Sequence, residues 1–133
     1  MTDTNTLRRI LSDYKRIAVV GLSPDPARPS NNVARYLLDH GFEVIPVNPK
    51  YDEILGLKCY SDLKTIPGPI DIVDLFQRSE RIPLFVDDII AIGAKVMWMQ
   101  LGVIHQEAAT RARDAGLEVV MNRCIKIEHA RFF

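Results

Sequence analysis

Between positions 21 and 32 the chain gathers Gly21, Ser23, Arg28, Ser30, Asn31 and Asn32 around a proline-rich stretch. Glycine lets a backbone approach a ligand closely, a serine hydroxyl donates or accepts, and an arginine offers a two-pronged fork for phosphate. Ser30, Asn31 and Asn32 stand where a helix begins, and the free amides and dipole of a helix N-terminus favour an anion. A second group is Asn48-Pro49-Lys50, where a neutral amide followed by a cation suits a ribose that itself carries a phosphate. The chemistry implied is the holding of a phosphorylated nucleotide. No metal cluster or nucleophile–base set stands beside it. Asp87 and Asp88 are neighbours on one helix and point in different directions, as on a solvated face. His40 and His105 read as helix-end residues, and His129 lies five positions from Cys124, off any shared helical face.

The elements needed to position these groups are legible in the pattern. Leu7, Ile10, Leu11 and Tyr14 fall at helical spacing. Ile17 to Val20 is continuously apolar, as a strand buried on both faces should be. A helix is expected from Ser30, its N-cap, to His40, with Gly41 as a left-handed stop. Residues 42–47 form the second strand, with Pro46 marking its end because it cannot donate to a ladder. Ser61 is placed to cap a short helix around residues 63–66. Ile70 to Phe76 reads as the third strand despite Asp71 and Asp74. Pro83 suits a first helical turn, and the helix it opens runs to Gly93. Val96 to Gln100 is the fourth strand, with Trp98 as core; His105 to Ala115 is a helix, Glu118 to Met121 the fifth strand, and Ile125 to Phe133 a closing helix. Strands alternating with helices imply a parallel sheet covered on both sides, a three-layer α/β architecture. In such sheets ligands bind beyond the carboxyl ends of the strands. That adds residues 76–78, 100–102 and 122–124 to the two groups above.

The totals set the surroundings. The 133 residues suit a single domain, 1–133, with a real core. Lysine plus arginine and aspartate plus glutamate number 17 each, so no overall field draws in nucleic acid or an anionic membrane. Any anion site must be made locally. Cys59 and Cys124 lack a C-x-x-C spacing, the N-terminal residues lack a signal pattern, and no apolar run approaches the roughly 20 residues of a membrane span. A cytoplasmic, reduced protein is expected.

The first loop lacks G-x-G-x-x-G and the Walker pattern. The acidic residue that would grip the ribose of NAD after the second strand is replaced by Asn48-Pro49-Lys50. These differences favour coenzyme A or NADP over NAD.

Gly21-Leu22-Ser23, Arg28-Pro29-Ser30, Tyr36-Leu37, Gly41, Ile45 to Pro49, Trp98-x-Gln100-x-Gly102 and Asn122-Arg123-Cys124 closely resemble the small stand-alone CoA-binding domain family. That family in turn resembles the CoA-binding domain of the succinyl-CoA synthetase α subunit. The resemblance spans Leu7 to Arg131. It implies a Rossmann-like domain of five parallel strands, in order 3-2-1-4-5, with coenzyme A lying across the strand ends. Carried over by position, Gly21, Leu22, Ser23, Arg28, Ser30 and Asn31 would hold phosphates. Asn48, Pro49 and Lys50 would flank the adenosine, Phe76 and Arg78 would line the next strand end, and Gln100 and Gly102 would lie towards the pantetheine arm. The chain departs from the usual pattern at Leu22 (commonly alanine), at Gln77 within Phe-Arg-Arg, and at Asn122 (commonly aspartate). Cys124, at a helix start beside Arg123, could have its thiolate favoured and, if it faces the pantetheine end, form a mixed disulfide with coenzyme A; the more common role of a lone cysteine is a small buried hydrophobe.

The expected function is therefore binding of coenzyme A or acyl-CoA without catalysis. The synthetase chemistry needs a phosphorylatable histidine on a further domain and a partner subunit. Two rivals stand beside it: an enzyme using NADP or another phosphorylated nucleotide, and a module whose bound CoA signals to a protein partner.

Overall fold

The computed structural model describes residues 2–133. Helix α1 (Thr4–Asp13) starts where the Asp3 carboxylate accepts the Thr6 amide at 2.8 Å, and it buries Leu7, Ile10 and Leu11. Strand β1 (Arg16–Val20) is followed by α2 (Pro29–Asp39), β2 (Glu43–Val47) and a small antiparallel hairpin of β3 (Glu53–Ile54) and β4 (Leu57–Lys58). Then come β5 (Ile72–Leu75), α3 (Pro83–Ala91), β6 (Val96–Met99), α4 (Gln106–Asp114), β7 (Glu118–Val120) and α5 (Ile125–Phe132). Single 3₁₀ turns at Leu63–Thr65 and Ser79–Arg81 flank β5.

Five strands pair in parallel in the order β2-β1-β5-β6-β7. Successive side chains of each strand alternate between two cores. Ala18, Val20, Val73, Leu75, Met97 and Met99 meet α3 and α4 on one side. Ile17, Val19, Ile72, Val96 and Trp98 meet α1, α2 and α5 on the other. The continuously apolar strands thus follow from burial on both faces, and the three-layer, Rossmann-like α/β fold is the one expected.

The strand order is also of the expected kind, but a different segment takes the outer place. Beyond β2 lies the stretch after β4, joined by a parallel bridge between Val47 and Tyr60. Counting that stretch as a third strand, the order runs 3-2-1-4-5 and onward. The strand predicted over residues 70–76 is not the outer one: it is β5, paired with β1. The reversal of strand order therefore falls between β1 and β5.

Other differences are local. Pro46 lies inside β2 rather than at its end. The Glu43 amide donates to the Lys15 carbonyl and the Val47 carbonyl accepts from Gly21, so these positions face β1. Pro46 faces the outer side, where only its carbonyl is needed, accepting from Tyr60 at 3.0 Å. Asp62, not Ser61, caps the turn at Leu63, accepting the Thr65 amide at 3.0 Å. Asp71 sits just before β5 and accepts from the Arg16 amide at 3.1 Å. The expected N-cap Ser30 is inside α2; Arg28 takes the cap position and Pro29 the first turn, for which the fixed proline φ is already suited.

A cleft over the strand ends

At the carboxyl end of β1 the chain turns at Gly21 with φ +87°, and a Cβ there would lie 2.3 Å from the Phe76 carbonyl oxygen. Only glycine fits this contact. It brings the loop after β1 against the loop after β5, at the reversal of strand order. The Gly21 amide also donates to the Val47 carbonyl at 2.9 Å, tying in β2.

The loop from Ser23 to Arg28 is held from within. The Ser23 amide donates to the Ser30 hydroxyl at 3.0 Å, and the Asn31 side-chain amide donates to the Ser23 carbonyl at 2.9 Å. Asn31 in turn accepts from Arg35 Nε at 2.8 Å. Ser30 and Asn31 are both buried. Expected as phosphate contacts, they instead spend polar atoms on shaping the loop; Ser30 borders the cleft and Asn31 does not. Leu22 is also withdrawn into the core, wholly buried. Asn48 is another tie: its amide donates to the Leu22 carbonyl at 3.1 Å, and its oxygen accepts from the Lys50 amide at 3.0 Å. Lys50 itself is exposed.

Two adjoining clefts open over these loops. The larger, of about 940 Å³, is bordered by Gly21, Ser23, Arg28, Ser30, Phe76, Arg78, Gln100 and Cys124, all expected from the sequence. The smaller, of about 410 Å³, includes Gly21, Asn48, Pro49 and Lys50. They meet at Gly21, Gln77 and Arg81. Gly102 borders neither. It makes an exposed turn with φ +86°, its amide donating to Asn122 Oδ1 at 2.7 Å. Asn122 is itself left-handed, φ +60°, a conformation that asparagine tolerates better than most residues.

Arg81 borders both clefts, a placement that the sequence pattern does not show. It follows the strand end by a 3₁₀ turn, and its Nε donates to Gln77 Oε1 at 3.2 Å. The i, i+4 spacing of Gln77 and Arg81 was visible, but the turn that aims them into the cleft was not. Asp88, expected on a solvated face, borders the smaller cleft and faces Lys64 at 3.5 Å. Apolar Val33, Leu101, Val103 and Ile127 also border the larger cleft.

The charges around the larger cleft are one-sided. Among the described residues Arg28, Arg78 and Arg81 border it, and no carboxylate does. In a chain with balanced charge this is a local concentration of positive charge, with apolar walls beside it. Below its floor lies Asp74, on the middle of β5. It is fully buried, accepts from Gln100 Nε2 at 2.6 Å, and has no partner for Oδ2. Burial raises its pKa to about 7, with the Gln100 hydrogen bond pulling the other way. Trp98 is core as expected, its indole donating to the Arg123 carbonyl at 2.8 Å and so fixing the loop before Cys124. Cys124 is half-buried at the start of α5. Arg123 directs its guanidinium at Glu128, 3.6 Å away. Cys59 is buried, which raises its pKa. Among the described residues no three metal-ligating side chains gather, and no helix is long and apolar enough to cross a membrane.

Fold and cleft together define a Rossmann-like α/β domain with a cationic, partly apolar cleft across its strand ends. The chain belongs to the CoA binding domain family, which it matches over residues 15–130. It is similar to the uncharacterized protein YneT of Bacillus subtilis strain 168, 47% identical over 124 residues, covering 93% of this chain and 92% of that one. A solved structure of a hypothetical protein from Pyrococcus horikoshii OT3 superposes with a TM-score of 0.95 at 46% identity, covering 98% of this chain and 92% of the other. A larger relative is acetate–CoA ligase (ADP-forming) I of Archaeoglobus fulgidus, 27% identical over 121 residues, covering 84% of this chain. This chain spans only 18% of that ligase's length.

Proposed function

We propose that this protein binds coenzyme A or an acyl-CoA across the carboxyl ends of β1, β2, β5 and β6, without catalysing a reaction on it. The observation that carries this reading is the pair of clefts joined at Gly21, with three arginines and no carboxylate around the larger one. A diphosphate needs such a cationic stretch, and an apolar arm needs the walls beyond it. Family membership and the similarity to an acetate–CoA ligase support the same ligand. Lys50, exposed beside the smaller cleft, would contact the phosphate on the ribose. Gln100 and Cys124, which also border the larger cleft, would face the pantetheine arm.

Thermal shift with CoA, acetyl-CoA, dephospho-CoA, NAD and NADP tests the reading, alongside native mass spectrometry. A ligand at 100 times its Kd stabilises the fold by about 2.7 kcal/mol. CoA should give a clear shift and NAD none. A shift with NADP and none with CoA would refute the proposal in favour of a nicotinamide cofactor. The Lys50→Ala variant should lose the distinction between CoA and dephospho-CoA. Mixed-disulfide formation at Cys124 predicts a CoA adduct that disappears in Cys124→Ser and on reduction.

A further inference from the structure

Asp74 occupies a place that a carboxylate should avoid. It stands between Val19 of β1 and Trp98 of β6 in the register of the sheet, and one of its oxygens meets no donor. An unpartnered buried oxygen costs less on a neutral acid than on an ion. Its one partner is the Gln100 amide, at 2.6 Å, and Gln100 borders the larger cleft. Gln100 Oε1 meets no donor of the described residues and is not closed off from solvent, so it is the end presented to the cleft.

The two ends of a glutamine amide have the same shape and opposite hydrogen-bonding character. An ionised Asp74 only accepts. It must take Nε2, and the cleft then receives the Oε1 acceptor. A neutral Asp74 can donate its O–H to Oε1, and the amide turned by half a revolution then shows its NH₂ donor to the cleft. We infer that Asp74 and Gln100 form a proton-set selector, which favours an acyl thioester carbonyl when Asp74 is protonated and the free thiol form of the ligand when it is not. The inference rests on the CoA reading and names which form of that ligand the site takes. Asp74 is a positioning residue here, acting through Gln100.

Other charges leave the pair largely to itself. Of the ionisable groups on the helices over this face, those not fully exposed are Tyr36, Cys124, Lys126, Glu128 and His129, and Lys126 donates to Asn32 Oδ1 at 2.8 Å. Tyr36 and His129 bond each other at 2.8 Å, and Glu128 faces Arg123 and Arg131. Arg28, Arg78 and Arg81 stand around the cleft above. The titration of Asp74 is governed by its burial and by Gln100, not by any of these charges.

The experiment is calorimetric titration of CoA and acetyl-CoA at pH 6, 7 and 8, in buffers of different ionisation enthalpy to count protons. Both ligands carry the same phosphates, so these cancel in the ratio of dissociation constants. That ratio, acetyl-CoA over CoA, should rise about tenfold from pH 6 to pH 8, with more proton uptake for acetyl-CoA near pH 7. Asp74→Asn and Gln100→Met should each flatten it. Carbon-13 NMR of the carboxyl groups should show one aspartate titrating near neutral pH in the free wild-type protein. Equal pH slopes for the two ligands in wild type would overturn the selector while leaving CoA binding intact. An Asp74 that titrates in the ordinary aspartate range would do the same without any ligand or variant. Failure of both ligands to bind at every pH would sink the CoA reading, and the ligand choice with it.

Discussion

Replacing Asp74 with asparagine keeps the side-chain shape and removes an ionisation from the middle of the sheet. An exposed aspartate titrates near 3.8, whereas burial holds Asp74 at about 7. Between these values the folded state binds a proton that the unfolded chain has already released. Stability from this site is therefore fully present below pH 3.8 and is lost as pH rises through about 7. At about 1.4 kcal/mol per unit, the full loss is on the order of 4 kcal/mol. From pH 5 to pH 8 the share is about 2–3 kcal/mol. Asp74→Asn does not titrate, so its stability relative to wild type should rise by that amount across the window. For a chain of this length the relative melting shift is on the order of 8 °C. Urea unfolding of both proteins at pH 5, 6, 7 and 8 measures it, and every other titrating group cancels in the difference. Parallel stability curves would refute the reasoning, because Asp74 would then be ionised in the fold at little cost.

Gly21→Ala should destabilise the protein by about 2–4 kcal/mol in urea unfolding, since the new Cβ meets the Phe76 carbonyl and the backbone has positive φ. Arg81→Ala should weaken CoA binding roughly ten- to a hundredfold and reduce its salt dependence, measured by calorimetry. Its urea midpoint should hardly change, because Arg81 is exposed. His129 has the opposite sign to Asp74: burial, with His40 and Lys15 nearby, lowers its pKa below 6.5. Its contribution is present above pH 6.5 and lost as pH falls, so His129→Gln should flatten the acid limb of a stability–pH curve while leaving the neutral limb unchanged.

Much of this could be read along the chain because the relevant forces are local. Apolar runs and helical periodicity at Ile17 to Val20, Val33 to Leu37 and Val96 to Met99 marked the elements, since burial on one or two faces dictates those patterns. Of the residues expected at the site, those around Gly21, Arg28, Asn48, Lys50 and Gln100 do border the two clefts. Leu22, Asn31 and Gly102 do not, because residues beside a cleft also build its loops. Hydrogen-bond partners decide between those roles: Asn31 answers to Ser23 and Arg35, and Gly102 to Asn122.

By itself, then, the sequence determined a parallel α/β domain whose first strand ends in a glycine turn and a loop without the dinucleotide glycines. Period, turn chemistry and residue type along the chain are enough for that. Only the tertiary structure decided which strand lies beside β1, and hence where the order reverses and the clefts meet. It also brought Arg81 into that junction and set Asp74 beneath Gln100, 26 residues apart. An aspartate within an apolar run reads as a weakened strand. Packed between β1 and β6 it becomes a buried acid with one partner, because its ionisation depends on what surrounds it in space.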